Sequence, residues 1–337
     1  MKIAFFDTHG FEKIIFQKAN EQFHHEITFF ETRLNEQSAH LASGYACVCA
    51  FVNDRLNTQT LEILQKAGTQ LIALRSAGFN HVDLVSAQSL RLPIVRVPEY
   101  SPYAIAEHAM TLILSLNRKI HRAYNRVREN NFSLEGLVGF DLNQKTVGLI
   151  GTGKIGSVMA KILNGFGCRV IAYDIVQNQK LIEMGVQYVS LEELLKNSDI
   201  ISLHVPLTPQ TRYLIDEKSL SLTKSGFMLI NTGRGALIDA RALIKSLKSG
   251  HIGYAGLDVY EEEEGLFFED LSEKILQDDK LARLLTFPNV LLTSHQGFLT
   301  KEALENIARV TLENISDFEN GKELKNEVFK PKNGIQK

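Results

Sequence analysis

Short apolar runs recur along almost the whole chain, separated by stretches in which apolar positions return every three or four residues. Such runs suit strands buried on both faces of a parallel sheet, and the periodic stretches suit the helices that must cross between parallel strands. The runs fall in two series. The first predicts strands at 3–6, 26–30, 46–52, 71–74 and 94–97, and the second at 146–150, 169–173, 199–203, 226–230, 254–258 and 290–293. Two series predict two sheets, and so an α/β chain of two doubly wound parallel-sheet domains. Between the series, Ile105, Ala109, Leu112, Ile113 and Leu116 recur at helical spacing, which predicts one long crossover helix from Pro102 to Arg128. Its end carries Arg118, Lys119, Arg122, Arg126 and Arg128; cations there suit the helix dipole, and the segment reads as a solvated or subunit-facing surface. From Thr300 to Asn320 a last amphipathic helix is predicted, with Leu304, Ile307, Ala308, Thr311, Leu312 and Ile315 on one face, returning to the first domain. One domain then comes from both ends of the chain, 1–100 with 299–337, and the other spans 101–298. Lys330 to Lys337, polar with Pro331 and Gly334, reads as a frayed tail.

Composition narrows the partners. At 337 residues the chain exceeds the usual size of one hydrophobic core, and 44% hydrophobic residues suffice for two. Lys and Arg number 37 against 39 Asp and Glu, so charge gives no reason to expect nucleic acid or an anionic membrane, and a small-molecule partner is expected. The cysteines, Cys47, Cys49 and Cys168, sit in apolar surroundings and read as buried thiols, with no disulfide framework and no metal site. The chain opens directly on a strand, and no run approaches the roughly 18 apolar residues of a membrane span, so a soluble cytoplasmic protein is expected.

The strand at 146–150 runs into Gly151-Thr152-Gly153-Lys154-Ile155-Gly156, a G-x-G-x-x-G that opens a helix. One glycine permits a sharp turn, one lets the backbone approach a pyrophosphate, and one lets helix pack closely on strand; the helix N-terminus then offers free N–H groups to the anion. Eighteen residues after Gly156, the next strand ends in Asp174. A carboxylate there accepts hydrogen bonds from a ribose diol and repels a 2′-phosphate, which favours NAD over NADP.

Ligands of parallel α/β sheets gather beyond the carboxyl ends of the strands, so the polar residues there are the candidates for chemistry. They are His204-Val205-Pro206, Asn231-Thr232-Gly233-Arg234-Gly235, Asp258-Val259-Tyr260 with four glutamates behind it, and Ser294-His295. Arg234, between two glycines, can offer its planar fork to a carboxylate. His295 can protonate a developing alkoxide if a neighbouring carboxylate keeps its imidazolium populated. His204 competes for that role, but Pro206 nearby suggests a loop lining the cofactor. Of the run Glu261 to Glu264, by default a solvated acidic loop, one member at most is needed to orient His295, and composition does not choose which.

These residues, with Leu74 to Asp83, Val97 to Pro102, Ala106-Glu107-His108 and Ser294 to Phe298, resemble the D-isomer-specific 2-hydroxyacid dehydrogenase family, and within it the fermentative D-lactate dehydrogenases. The resemblance spans Lys2 to about Val328 and implies a Rossmann NAD-binding domain at 101–298 and a flavodoxin-like substrate and catalytic domain from 1–100 and 299–337. It implies Glu263 as the carboxylate that stabilises protonated His295, His295 as general acid, and Arg234 as the group that holds the substrate carboxylate and polarises the keto oxygen. Cofactor contacts are implied for the turn with Lys154 and Ile155, for Asp174, Val205, Pro206, Thr211, Thr232 and Gly233, and for Asp258. Substrate contacts are implied for Ser76, Ala77 and Gly78, with Tyr100 and Phe298 closing the pocket beside Arg234 and His295. The departures, Gly233 where alanine or serine is usual and Gly297 where alanine is common, remove no functional group. The resemblance implies pyruvate reduction to D-lactate and a homodimer through the Pro102 to Arg128 helix. The alternatives are reduction of a bulkier 2-keto acid and a non-catalytic NAD(H)-sensing protein.

Overall fold

The apolar runs become strands, and their ends follow the change from apolar to polar residues. The structure, a computed structural model, describes residues 1–263 and 265–329; Glu264 and the tail expected at 330–337 lie outside the described residues. The chain divides into two units, one formed by Met1–Ser101 with the described residues from Leu299 onward, the other by Pro102–Phe298.

In the first unit β1 (Lys2–Phe5), β2 (Glu26–Phe29), β3 (Cys47–Ala50), β4 (Leu71–Leu74) and β5 (Ile94–Val95) form a parallel sheet in the order β2-β1-β3-β4-β5. That is the flavodoxin-like doubly wound order. All residues of β3 and β4 are buried, and Cys47 and Cys49 are free thiols within β3. Burial pushes Cys49 up to about 12, where it behaves as a small apolar residue. Helix Lys301–Glu319, capped by Thr300, buries Leu304, Ile307, Ala308, Thr311, Leu312 and Ile315 and packs on helix Gly10–Asn20 and on β4.

Arg75, one residue past β4, is almost wholly enclosed. Its Nε and Nη2 each donate to Glu12 at 2.9 Å, and Nη2 also reaches the carbonyl oxygens of Phe6 and Asp7. The guanidinium lies 4.2 Å from the Phe5 ring centroid, so charge, hydrogen bonds and aromatic face all hold it. This anchors the start of the loop Ser76 to Gly78.

The second unit contains β6 (Thr146–Ile150), β7 (Arg169–Tyr173), β8 (Gln187–Tyr188), β9 (Ile200–Leu203), β10 (Phe227–Asn231), β11 (Ile252–Leu257) and β12 (Val290–Leu292). They are ordered β12-β11-β10-β9-β6-β7-β8 and pair in parallel. The order reverses between β6 and β9, the switch point at which such sheets take a dinucleotide. β8 was not among the expected strands; two residues at a sheet edge carry no periodicity to read.

The single helix expected from Pro102 to Arg128 is two, Pro102–Arg118 and Ile120–Arg128. Lys119 between them takes a left-handed conformation, φ 52° and ψ 36°, which costs a non-glycine residue about 1 kcal/mol or more. Compensation comes from its side chain: the ammonium donates to the Val138 carbonyl oxygen and stands 5.5 Å from the Tyr254 ring centroid. Both halves are amphipathic, so apolar spacing runs through the break unmarked. Among the described residues no helix is long and apolar enough to cross a membrane, and no cluster of His, Cys, Asp and Glu could hold a metal ion.

Candidate active site

The turn after β6 is shaped by backbone crowding. Gly151 has φ +96°, and a Cβ there would lie 2.5 Å from the His204 carbonyl oxygen; a Cβ at Gly156 would lie 2.1 Å from the carbonyl oxygen of Gly151. Neither position admits a side chain. Gly153 is the N-cap of helix Lys154–Gly165, leaving the first-turn amides of Lys154, Ile155 and Gly156 at the helix start, where an anion is favoured. Asp174, at the end of β7, accepts the Thr152 amide at 2.6 Å and the Val176 amide at 3.2 Å. Burial opposes its ionisation, but these bonds with the Thr152 hydroxyl outweigh that and hold its pKa below the ordinary value. The acid is therefore charged and fixed beside the turn. Past β9, the Thr211 hydroxyl donates to the Pro206 carbonyl oxygen at 2.6 Å and receives the Thr208 amide at 2.7 Å, closing the loop that carries Val205 and Pro206.

The residues present fit a bound dinucleotide. Thr232 lies just beyond β10, and its hydroxyl is buried with no hydrogen-bond partner among the described residues. An orphaned polar group of this kind calls for a ligand group or a water. Its neighbour Asn231 folds the loop: Oδ1 accepts the Gly233 amide at 3.0 Å and Nδ2 donates to the Arg234 carbonyl oxygen at 2.9 Å. Arg234 is half-buried, with Nη1 on the Gly233 carbonyl oxygen at 2.8 Å.

His295 follows β12, its Nδ1 2.8 Å from Glu263 Oε1. Glu263 is itself held, its Oε2 accepting the Tyr260 amide at 3.1 Å. His295 has a left-handed backbone, φ 49°, and its amide donates to the Asp258 carbonyl oxygen at 2.7 Å. With Nδ1 engaged by a carboxylate, Nε2 is left for a substrate. In the acidic run Glu261 accepts the Tyr213 hydroxyl, Glu262, largely exposed, pairs with Lys280, and Glu263 takes the histidine. His204 turns its ring onto Ser202 Oγ at 2.9 Å, and burial lowers its pKa to about 4, so near neutral pH the ring is uncharged and is a poor general acid.

Asp258, for which a cofactor contact is implied, has its carboxylate held by several protein groups. Oδ1 accepts the Thr293 hydroxyl at 2.6 Å and the Gln296 amide at 2.9 Å, Oδ2 accepts the Gly297 amide at 2.8 Å, and His108 Nε2 stands 3.1 Å from Oδ1. It thereby shapes the backbone on either side of His295. Thr293 and His108 are the site residues that sequence reasoning missed. A helical histidine gives no sign that its ring meets a strand-end aspartate. Phe268 lies near both His295 and Phe298, with ring centroids 6.1 and 6.4 Å away.

Arg234, Glu263, His295, Phe298 and the turn all belong to the second unit, while Ser76, Ala77, Gly78 and Tyr100 belong to the first. There Ser76 is buried with its hydroxyl on the Gly78 carbonyl oxygen at 2.8 Å, the Ala77 carbonyl oxygen accepts Arg96, and that of Tyr100 accepts Asn306 Nδ2 at 2.7 Å.

A phosphate-binding turn with an acid at the next strand end, and a carboxylate-held histidine on the same sheet edge, define a dinucleotide-dependent dehydrogenase. Comparison with known proteins agrees. Residues 110–297 match the model of the D-isomer specific 2-hydroxyacid dehydrogenase NAD binding domain. The chain is 53% identical to 2-hydroxyacid dehydrogenase homolog 1 of Schizosaccharomyces pombe, over 94% of this chain and 96% of that one. It is 50% identical to the D-lactate dehydrogenase of Escherichia coli, over 97% of this chain and 100% of that one. The solved structure of the pyruvate reductase of Chlamydomonas reinhardtii superposes with a TM-score of 0.93 at 46% identity, covering 97% of this chain and 98% of that one. The chain belongs to the D-isomer-specific 2-hydroxyacid dehydrogenase family, and NAD is its cofactor.

Proposed function

We propose that the enzyme reduces pyruvate to D-lactate, with His295 as general acid, Glu263 holding its imidazolium, and Arg234 binding the substrate carboxylate and polarising the keto oxygen. The observation that carries the reading is the 2.8 Å contact between His295 Nδ1 and Glu263. The Gly151 to Gly156 turn would hold the dinucleotide, with Asp174 on its ribose, and the reduced nicotinamide would there supply a hydride to C2 of the keto acid. His295 Nε2 gives its proton to the keto oxygen as negative charge develops there; Glu263 balances the positive charge of the ring before the transfer, and the ring is then neutral until a proton returns from water. Arg234 stabilises the same oxygen electrostatically, a contribution of roughly 10²- to 10³-fold for such a donor. The Asp258 carboxylate keeps the His295 backbone in place while this happens. Implied contacts at Lys154, Ile155, Val205, Pro206, Thr211, Thr232, Gly233 and Asp258 with cofactor, and at Ser76, Ala77, Gly78, Tyr100 and Phe298 with substrate, belong to this proposal.

A small substrate is favoured by Phe268 and Phe298 beside His295 and by relatives that are a D-lactate dehydrogenase and a pyruvate reductase. A homodimer and a cytoplasmic location belong to the same reading. Ile120, Tyr124 and Val127 form an exposed apolar stripe on helix Ile120–Arg128, followed by exposed Phe132, Leu134 and Val138, a patch that calls for a cover. The three cysteines are free, as in a reducing compartment. NADH absorbance followed with pyruvate, phenylpyruvate and oxaloacetate in parallel, with the handedness of the product determined, tests the proposal. Fast oxidation with pyruvate giving D-lactate supports it; preference for either larger acid, or an L-product, overturns it.

A further inference from the structure

The sheet of the second unit has another end. β10 and β11 carry Arg234 and Asp258 just beyond their C-terminal ends; around their N-terminal ends lies a cavity of about 360 Å³ whose lining includes Lys119, His121, Arg122, Gly253, Tyr254 and Asn289. A second cavity of about 190 Å³ shares Gly226 and Tyr254 with it and is lined in part by Lys145, Asp199 and Lys224. The charge around them is one-sided. Lys119, Arg122, Lys145 and Lys224 face a single lining carboxylate, Asp199, and that one already accepts Lys224 Nζ at 2.8 Å and the Thr146 amide at 2.8 Å. Arg122 makes no side-chain hydrogen bond or ion pair among the described residues, and His121 Nδ1 is buried without a partner. An excess of cations over carboxylates, with Arg122 lacking an acidic partner beside an orphaned ring nitrogen, marks a place that a bound anion would complete.

The backbone is shaped to make this place. Phe227 pairs with Ile252 and Met228 with Tyr254, so Gly253 is an extra residue, a bulge at the strand end. Opposite it, the left-handed Lys119 turns the chain between its two helices. A second copy of the chain is a poor occupant. At about 100° per residue, Ile120, Tyr124 and Val127 share one helix face, while Arg122 lies about 200° round from Ile120. A partner covering the apolar stripe leaves Arg122 on the other side.

We propose that these joined cavities bind a small anion with two or more negative charges, of the polycarboxylate or phosphate-ester class, at a site distinct from the one that holds substrate. The guanidinium of Arg122 and the ammonium of Lys145 provide its charge, and His121 Nδ1 a hydrogen bond.

Titration calorimetry on the full-length protein, with inorganic phosphate and with citrate as polycarboxylate probe, tests this. Saturable binding of one anion per chain is expected, weakened about tenfold or more by Arg122→Gln, as fits loss of a charged hydrogen bond. His121→Gln provides a second variant should the first not fold. The preferred probe distinguishes the phosphate from the carboxylate source. Arg234→Gln should leave this binding intact, and Arg122→Gln should leave pyruvate reduction without added anion within about twofold of the parent. Binding lost in Arg234→Gln but kept in Arg122→Gln would place the anion at the catalytic edge and overturn the proposal, as would absence of saturable binding by both probes.

Discussion

His108 Nε2 stands 3.1 Å from Asp258 Oδ1, so a mid-helix histidine shares the carboxylate that accepts the Gln296 and Gly297 amides on the far side of His295. Burial opposes ionisation of Asp258, and the hydrogen bonds and charge of His108 with the Thr293 and Gln296 bonds outweigh it, holding the pKa below the ordinary value. A depressed carboxylate contributes stability that is present above its unfolded pKa, about 3.9, and is lost as pH falls through the folded one. His108→Leu removes part of what holds that pKa down, so acid unfolding should begin at a higher pH than in the parent. Loss of a charged hydrogen bond also lowers stability at neutral pH by roughly 1.5–3 kcal/mol. Circular dichroism against pH and urea measures both, and unchanged curves would detach His108 from Asp258.

His295→Ala should reduce pyruvate turnover by about 10²- to 10⁴-fold, the usual contribution of a general acid, while NADH binding stays within about twofold because the turn and Asp174 are untouched. Glu263→Gln should act differently. Without the carboxylate on Nδ1 the imidazolium is less favoured, so the pH above which reduction fails should move down. If Glu261→Gln produces that displacement instead, Glu261 and not Glu263 supports the imidazolium.

β6 and β7 begin and end where their apolar runs do, because each is buried on both faces and flanked by charge or glycine. The Gly151 to Gly156 turn was equally plain, since crowding at Gly151 and Gly156 leaves glycine as the only residue. What periodicity could not show was the break at Lys119, where the compensating contacts come from Val138 and Tyr254, far along the chain. Choice among the four glutamates had the same cause. Three of them meet partners on three different elements, and only tertiary structure, or a family resemblance, singles out Glu263. His108 lies within a helix, and nothing in its spacing shows that its ring meets Asp258 at a strand end far along the chain.

Asp174→Ala should relax discrimination between NADH and NADPH, since the carboxylate that would repel a 2′-phosphate is gone. It should also weaken NADH binding beyond the loss of a ribose contact. The acid accepts the Thr152 amide and hydroxyl, at 2.6 and 3.1 Å, so its removal loosens the turn itself. Asp174→Asn retains an acceptor for Thr152 and separates the two effects. The ratio of kcat/KM for NADH and NADPH in each variant reads the outcome; an unaltered ratio in both argues against a ribose role.

Arg75→Met should be among the most damaging changes outside the catalytic edge. The guanidinium and Glu12 are both buried and meet through two bonds of 2.9 Å, so the variant leaves a carboxylate enclosed without its partner. Breaking such a pair costs about 3–5 kcal/mol, against a total stability of roughly 5–15 kcal/mol for a domain. Replacing both members, Arg75→Met with Glu12→Leu, removes the stranded charge and should recover much of the loss. Recovery must be incomplete, because the Phe6 and Asp7 carbonyl oxygens still lose the donor that now serves them. Urea unfolding of the single and double variants measures the coupling. Equal destabilisation in the two would mean that the carbonyl contacts, and not the ion pair, make Arg75 indispensable.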